Sequence, residues 1–417
     1  MKDKPREACG VFGIYGDENS DVAADAYYAL YALQHRGQES CGIAVCHDGL
    51  ITGYRDLGLV RDVLTPDQFK KIAGEGDRPR MALGHCRYGT TGGASRANAQ
   101  PLVVQHGKGG MALAHNGNIT NASELREELE LRGAIFHTTA DTEAIAYVIT
   151  GARLETDSIE AAVSLAMDRL KGAFSIGLMS PRKLIGARDP NGFRPLCLGK
   201  RGSAWAIASE SCALDIIGAE FIRDIRPGEV VTIGENGLVS DTSHCRETAS
   251  LCVFEFIYFA RPDSCLDGSS VYQARLRAGT FLALEYPAQA DVVIGVPDSG
   301  LDAALGYARQ SGIPYSVGFI KNKYIGRTFI QPGQNSRDHD VKIKLNVLKS
   351  AIAGKRVIVV EDSVVRGTTT AATMRLLRDA GAREIHLRVA SPPFRYPCWF
   401  GTDVDSEEHL LAYNRSV

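Results

Sequence analysis

Three absences narrow the problem before any motif is read. The chain lacks net charge: 47 Lys and Arg stand against 49 Asp and Glu in 417 residues, a balance of −2. There is then no electrostatic case for nucleic acid or an anionic membrane surface as partner. It lacks any apolar run near the roughly 20 residues of a membrane-spanning helix. Its opening, MKDKPREA, is short, charged and without an apolar stretch, which is not a secretory signal. It also lacks paired cysteines: ten are scattered with no regular spacing and no CxxC. That pattern suits individual thiols in a reducing cytoplasm, not a disulfide framework. GxGxxG is missing, which argues against a dinucleotide site, and GxxxxGK[ST] is missing, which argues against an ATP-type phosphate loop. There are no repeats and no low-complexity segments. The length suffices for two domains with full cores.

What is present centres on residues 357–370, VIVVEDSVVRGTTT. Val357 to Val360 are β-branched and apolar, as in a strand buried on both faces. Glu361 and Asp362 follow where that strand leaves the core. A short loop, Ser363, Val364, Val365, Arg366 and Gly367, leads to the hydroxyls of Thr368, Thr369 and Thr370. A helix is predicted over 369–380, with Met374, Leu376 and Leu377 on one side and Gly381 as its stop. Free N–H groups at a helix start bind phosphate. The carboxylates cannot; they suit sugar hydroxyls or a hard divalent cation such as Mg²⁺. The pattern resembles the 5-phosphoribosyl-1-pyrophosphate (PRPP) motif of the type I phosphoribosyltransferases, with Glu361 where that family usually has Asp. The resemblance implies Ser363, Val364, Arg366, Gly367, Thr368 and Thr369 as the phosphate cradle, and Glu361 and Asp362 at the ribose and metal.

The N-terminal part carries a second set of residues. Cys9 opens a strand with Val11, Phe12 and Ile14, and Ser20 or Asp21 can cap the helix that follows. QHRGQES (34–40) reads as a polar turn and CGIAV (41–45) as a strand. GHCRYGTTGG (84–93) places Arg87 between a strand and a glycine-rich loop. LAHNGNIT (113–120) ends a strand in Asn116 and Gly117, and TADTEA (139–144) puts Asp141 at a helix start. A side-chain amide beside a glycine N–H can form an oxyanion hole. An arginine can clamp a carboxylate, and Asp141 can accept from an ammonium group. With a thiol nucleophile these parts fit free glutamine.

These motifs resemble the glutamine amidotransferase domain of the N-terminal-nucleophile class. In that class the nucleophilic Cys is the first residue of the mature chain, and its own α-amine, of reference pKa about 7.7–8.0, is the base. The resemblance makes residues 1–8 a propeptide. It leaves His35, His85 and His115 as satisfied polar residues and not members of a Cys–His dyad. Strands are predicted at AFSIGLMS, KLIGARD, AWAIASES and EVVTIGENG. RDPNGFRPL (188–196) reads as a solvated loop. Two packed antiparallel sheets flanked by helices result, a four-layer αββα sandwich spanning 9–245.

A polar stretch at 241–250 marks the boundary to a second domain, 246–417. CVFEFIYF (252–259) reads as an aromatic-rich strand. DVVIGVPDSG (291–300) reads as a buried strand and loop, with a helix over 301–310 and Ser299 as a contact for pyrophosphate and Mg²⁺. Alternating βα units predict a parallel α/β sheet with ligands at the carboxyl ends of its strands. Residues 318–345 form a long cationic loop, including Lys321 and Arg327, expected to act as a lid over PRPP.

Both halves in this order resemble the amidophosphoribosyltransferase family over nearly the whole chain. The implied reaction takes PRPP, glutamine and water to 5-phosphoribosylamine, glutamate and pyrophosphate, the committing step of purine synthesis. The resemblance further implies a homotetramer and inhibition by purine nucleotides. One branch of the family holds a [4Fe–4S] cluster on four cysteines. Cys252 and Cys398 match two of them. The other two belong to a CxxC pair that the resemblance places beyond Val417, so either the sequence is a fragment, which the propeptide and the two matching cysteines favour, or the lineage has lost the site; Cys245 and Cys265 are the only nearby substitutes. Two alternatives compete. A different glutamine amidotransferase would need another second half, and the 357–369 motif opposes it. A non-catalytic PRPP- or nucleotide-binding regulator is opposed by the intact Cys9, Arg87, Asn116 and Asp141.

Overall fold

The structure, a computed structural model, describes residues 9–17, 19–74, 78–89, 93, 95–322, 345–401, 404 and 406–414. In its first half, strand Gly10–Tyr15 alternates as its sequence requires. Phe12 and Ile14 enter one apolar cluster, and Val11 and Tyr15 enter another. The strand lies inside a seven-stranded antiparallel sheet, between Ala204–Ala208 and Met81–Arg87. Helix Val22–Leu33 covers the outer face, setting Ala26, Leu30 and Leu33 against Phe12 and Ile14. Asp21, not Ser20, caps it, accepting from the Ala24 N–H at 3.1 Å.

A six-stranded antiparallel sheet packs on the inner face. Val11, Leu83 and Ile207 from the first sheet meet Ala112, Ala114, Leu184 and Ile233 from the second. Helices Asp141–Glu155 and Ile159–Met167 cover the far side of that sheet. The result is helix, sheet, sheet, helix, the layering expected from the sequence. Each fully buried aliphatic side chain in these three apolar layers contributes about 1.5–3 kcal/mol. The four predicted strands between 172 and 234 are present, and Cys197–Arg201, Glu220–Asp224 and Gly237–Asp241 join them.

The second half is built on three parallel strands, with Arg356–Glu361 between Val292–Gly295 and Glu384–Val389. Val357 and Val359 pack with Leu377 on one face, Ile358 and Val360 with Ala304 and Tyr307 on the other. A strand covered on both faces needs an unbroken apolar run, which is why 357–360 does not alternate. Helices Gly300–Ser311 and Thr368–Asp379 supply the two covers. Helix Val271–Glu285 crosses the first of them closely: a Cβ at Gly279 would sit 1.8 Å from the Ala303 carbonyl oxygen. Strand Phe319–Lys321 pairs antiparallel with Leu345–Val347, so Lys321 lies opposite Leu345. The rest of the expected lid, Arg327 included, lies outside the described residues. No helix among the described residues is long and apolar enough to cross a membrane.

Two expectations fail. Residues 252–259 are not a strand but include a helical turn, Glu255–Phe259, closed by the Ala260 N–H on the Glu255 carbonyl at 3.0 Å. A strand would put Phe254 and Glu255 on opposite faces; both are buried, together with Phe259. Nor is the 188–196 loop solvated. Arg188, Asp189 and Arg194 are all buried. Arg188 is saturated by the carbonyls of Gly192, Arg194 and Ile225 and by both oxygens of Asp267 at 2.7 and 2.8 Å.

Candidate active sites

The first site forms where two strands from different sheets leave the core together. The His85 imidazole Nε2 meets the His115 carbonyl at 3.0 Å. Two residues further along each strand stand Arg87 and Gly117, and Cys9 enters beside them through the pairing of Gly10 with Cys86. The Cys9 thiol is buried, 3.6 Å from the Tyr88 carbonyl oxygen. Burial pushes this thiol up; the Tyr88 backbone, Arg87 and Arg36 draw it down, and Asp141 opposes them. The charges that act on Cys9 thus include both residues expected to grip the ends of glutamine.

Asn116 is fully buried, and neither atom of its amide has a hydrogen-bond partner among the described residues. Leaving such groups unpaired costs about 1–3 kcal/mol each. An amide held this way suits a group that arrives with the substrate. Gly117 follows at φ +141°, tight against the Ala173 carbonyl. Asp141 begins its helix and accepts from the Ile119 N–H at 3.1 Å, with His115 Nδ1 at 3.5 Å. Burial would raise its carboxyl, but His115, the Ile119 N–H and Arg87 outweigh burial and hold it below the usual range. It is an anion fit to receive an ammonium group. The Arg87 guanidinium is ion-paired with Glu39 and donates to the Gly93 carbonyl at 3.2 Å. Glu39 also accepts from the Gly89 N–H at 3.1 Å.

Of the three histidines, His85 and His115 are only half satisfied among the described residues, while both ring nitrogens of His35 have partners. Burial pulls His85 down to about 3, so it is neutral, and its Nδ1 has no partner among the described residues; the same is true of His115 Nε2. His35 is tied to Glu210 at 2.8 Å and to the Ala32 carbonyl at 3.0 Å.

Sequence reasoning missed Arg36, placed in a polar turn but wholly buried. Its Nε donates to the Cys9 carbonyl at 2.9 Å. One Nη reaches Glu210 at 2.5 Å, and the other reaches both oxygens of Glu255 at 2.9 Å. Glu210 and Glu255 were missed too. The available signal was a lone glutamate inside the apolar run VFEFIYF, since a fully buried carboxylate is rare unless paired.

The second site lies at the carboxyl end of the central parallel strand. Glu361, Asp362 and Ser363 are buried, and Ser363 Oγ donates to Asp362 at 2.6 Å. Val364, Arg366, Gly367 and Thr369 are partly exposed and Thr368 is exposed. Gly367, at φ +83°, turns the chain into the helix. The neighbouring loop is in contact: a Cβ on Gly300 would lie 2.7 Å from the Val360 carbonyl oxygen, which brings Ser299 beside the acidic pair. Lys321 is ion-paired with Asp298 in that loop. Among the described residues, no group of three His, Cys, Asp or Glu could hold a metal ion. For Mg²⁺ two carboxylates and a hydroxyl are a fitting partial set of hard oxygens, because that ion takes its other ligands from water and substrate phosphate. For [4Fe–4S] the residues fit only in part. Cys252 and Cys398 approach through the loops that carry them, with Cys252 N–H on the Phe193 carbonyl at 3.2 Å and Phe193 stacked on Phe400 at 4.4 Å. Cys245 and Cys265 do not make a third ligand.

The two halves of the chain meet at a seam. Asn118 Nδ2 donates to the Trp399 carbonyl at 2.8 Å, and Arg194 donates to the Phe400 carbonyl at 2.9 Å.

Comparison with known proteins matches residues 85–215 to a glutamine amidotransferase domain and residues 270–391 to a phosphoribosyl transferase domain. The amidophosphoribosyltransferase of Synechococcus elongatus is 49% identical, over 100% of this chain and 84% of its own length. That of Bacillus subtilis is 44% identical over 99% of this chain and 85% of its own. The solved glutamine PRPP amidotransferase from B. subtilis, complexed with ADP and GMP, superposes with a TM-score of 0.90 at 42% identity, over 98% of this chain and 87% of that one. With such identity over nearly its full length, the chain belongs to the amidophosphoribosyltransferase family.

Proposed function

We propose that the chain makes 5-phosphoribosylamine, glutamate and pyrophosphate from PRPP, glutamine and water, the first committed step of purine synthesis. The observation that carries this reading is the seam: residues beside the oxyanion candidate Gly117 are bonded to the 399–400 segment of the second half. An enzyme that must pass ammonia from one site to another without loss to solvent needs its two sites on one closed surface.

In this reading the divide between the halves falls near residues 241–250. Cys9 attacks the glutamine amide, and Asn116 with the Gly117 N–H receives the oxyanion. Arg87 holds the α-carboxylate of glutamine and Asp141 its ammonium. The base is the Cys9 α-amine, freed when residues 1–8 are removed, so neither His85 nor His115 is needed. In the second half the loop from Ser363 to Thr369, with Lys321, takes the phosphates, and Glu361 and Asp362 orient the ribose. Glu361, Asp362 and Ser299 would hold Mg²⁺, which supplies charge neutralisation to the leaving pyrophosphate. Cys252 and Cys398 would give two thiolates to a [4Fe–4S] cluster, which requires two more. Self-association and inhibition by purine nucleotides are part of the same proposal, supported by family membership.

The test is Cys9→Ala. Glutamine-dependent synthesis is abolished, while synthesis from ammonium salts persists. Equal loss of both would refute the division of labour, and intact-mass data showing an active chain that still carries residues 1–8 would refute the self-base.

A further inference from the structure

Glu255 touches neither set of candidate substrate-binding residues, yet it is wholly buried and shared by two arginines of the first half. Arg36 grips both its oxygens at 2.9 Å while holding the Cys9 carbonyl. Arg194 reaches one of them at 3.0 Å while holding the Phe400 carbonyl. The turn that carries Glu255 is fixed from the other side. Arg275, on a helix of the second half, donates to the Phe256 carbonyl at 2.7 Å and the Ala260 carbonyl at 2.8 Å. The same guanidinium lies 3.7 Å from Asp302 and in the field of Asp362, a member of the acidic pair. An unbroken set of bonds therefore runs from the Cys9 carbonyl through Arg36, Glu255 and its turn to Arg275, on a helix of the second half.

We infer that Glu255 is a positioning residue for glutamine cleavage: through Arg36 it fixes Cys9 from the second half of the chain. The inference rests on the reading of Cys9 as the nucleophile. Its physical basis is bonding geometry. Arg36 is immobile only while both Glu210 and Glu255 saturate its fork, and the Cys9 carbonyl follows the guanidinium. Misplacing a reacting group by 1 Å costs about 100-fold in rate. Arg275 performs the complementary task of holding the turn against a helix of the second half. Because neither Glu255 nor Arg275 meets glutamine, their loss lowers kcat and leaves KM for glutamine in place.

The experiment compares the parent full chain with Glu255→Gln, Arg275→Lys and the double variant. Glutamate release with glutamine and PRPP, and phosphoribosylamine synthesis from ammonium, are measured on each. Glu255→Gln is expected to lower glutamine-dependent kcat by about 100-fold. KM for glutamine and the ammonium-dependent rate stay within about twofold, since those groups are not moved. Arg275→Lys keeps the charge and loses the fork, so it follows the same pattern with a smaller loss. It decides the matter if Glu255→Gln does not fold. The double variant is no worse than Glu255→Gln alone, because both break one path. A glutamine-dependent kcat that survives these substitutions, or an ammonium-dependent rate that falls in step with it, overturns the inference. A parent that releases no glutamate removes the reading of Cys9 and this inference with it. An active parent with unaffected variants removes this inference alone.

Discussion

Gly117→Ala isolates the oxyanion candidate with a single methyl group. At φ +141° an L side chain is strained whatever space surrounds it. The space is also closed: the new Cβ would stand 2.1 Å from the Ala173 carbonyl oxygen and 2.7 Å from its carbon. Ordinary contact lies near 3.4 Å, so strands Gly109–Ile119 and Gly172–Met179 must part by about 1 Å where Asn118 pairs with Ala173. Overpacking of this kind costs about 1–3 kcal/mol of stability. The same displacement carries the Gly117 N–H off the oxyanion, and the loss of one such donor lowers kcat by about 10²–10³. Steady-state glutaminase kinetics read the second effect and denaturant melts the first. Ammonium-dependent synthesis, measured in parallel, stays near the parent value. A Gly117→Ala enzyme whose glutamine-dependent kcat is within threefold of the parent, with kcat measured to about 20%, would show that the oxyanion is held elsewhere.

Three further substitutions address the second site and the core. Asp362→Ala should lose PRPP binding by isothermal titration while Cys9 still reacts with a glutamine-mimicking diazoketone, and Glu361→Asp should stay active because the shorter carboxylate keeps its charge; tight PRPP binding by Asp362→Ala would mean the ribose site is misplaced. His85 titrates from the usual 6.5 when unfolded to about 3 in the fold, because burial disfavours its cation. Between those values the unfolded chain binds the extra proton, so stability falls as pH drops from 6.5 toward 3, by about 1.4 kcal/mol per unit. His85→Gln should flatten the urea-derived slope of stability against pH by that amount, and an unchanged slope would show that His85 titrates normally in the fold.

Local pattern carried much of the architecture. The run Val357 to Val360 is legible because a strand covered on both faces leaves no room for a polar residue. The residues proposed for glutamine were legible as candidates because Asn-Gly at a strand end and Asp at a helix start suit a recognisable chemical task, and the fold gathers them around Cys9. The buried arginines were not. Arg36, Arg188 and Arg194 sit in stretches of glycine, proline and polar residues that locally predict solvent exposure. Their partners Glu255 and Asp267 lie 219 and 79 residues away in sequence. No window of sequence contains both members of such a pair. The mistaken strand at 252–259 has the same origin, since the turn exists to bring Glu255 to two arginines that the local sequence does not include.

The placing of the first strand in the middle of its sheet also has a consequence in time. Strand Gly10–Tyr15 needs Met81–Arg87 on one side and Ala204–Ala208 on the other. A ribosome adds about 5–20 residues per second, so residue 208 emerges about 10–40 s after residue 9. Through that interval the strand beside Cys9 has an open edge with no partner to fill it. Glu255 and Phe400, which complete the bonds around Arg36 and Arg194, come later still. In the proposed reaction the residue that acts first is thus among the last to be finished during synthesis, and a nascent chain carries its thiol long before it has anything to attack with it.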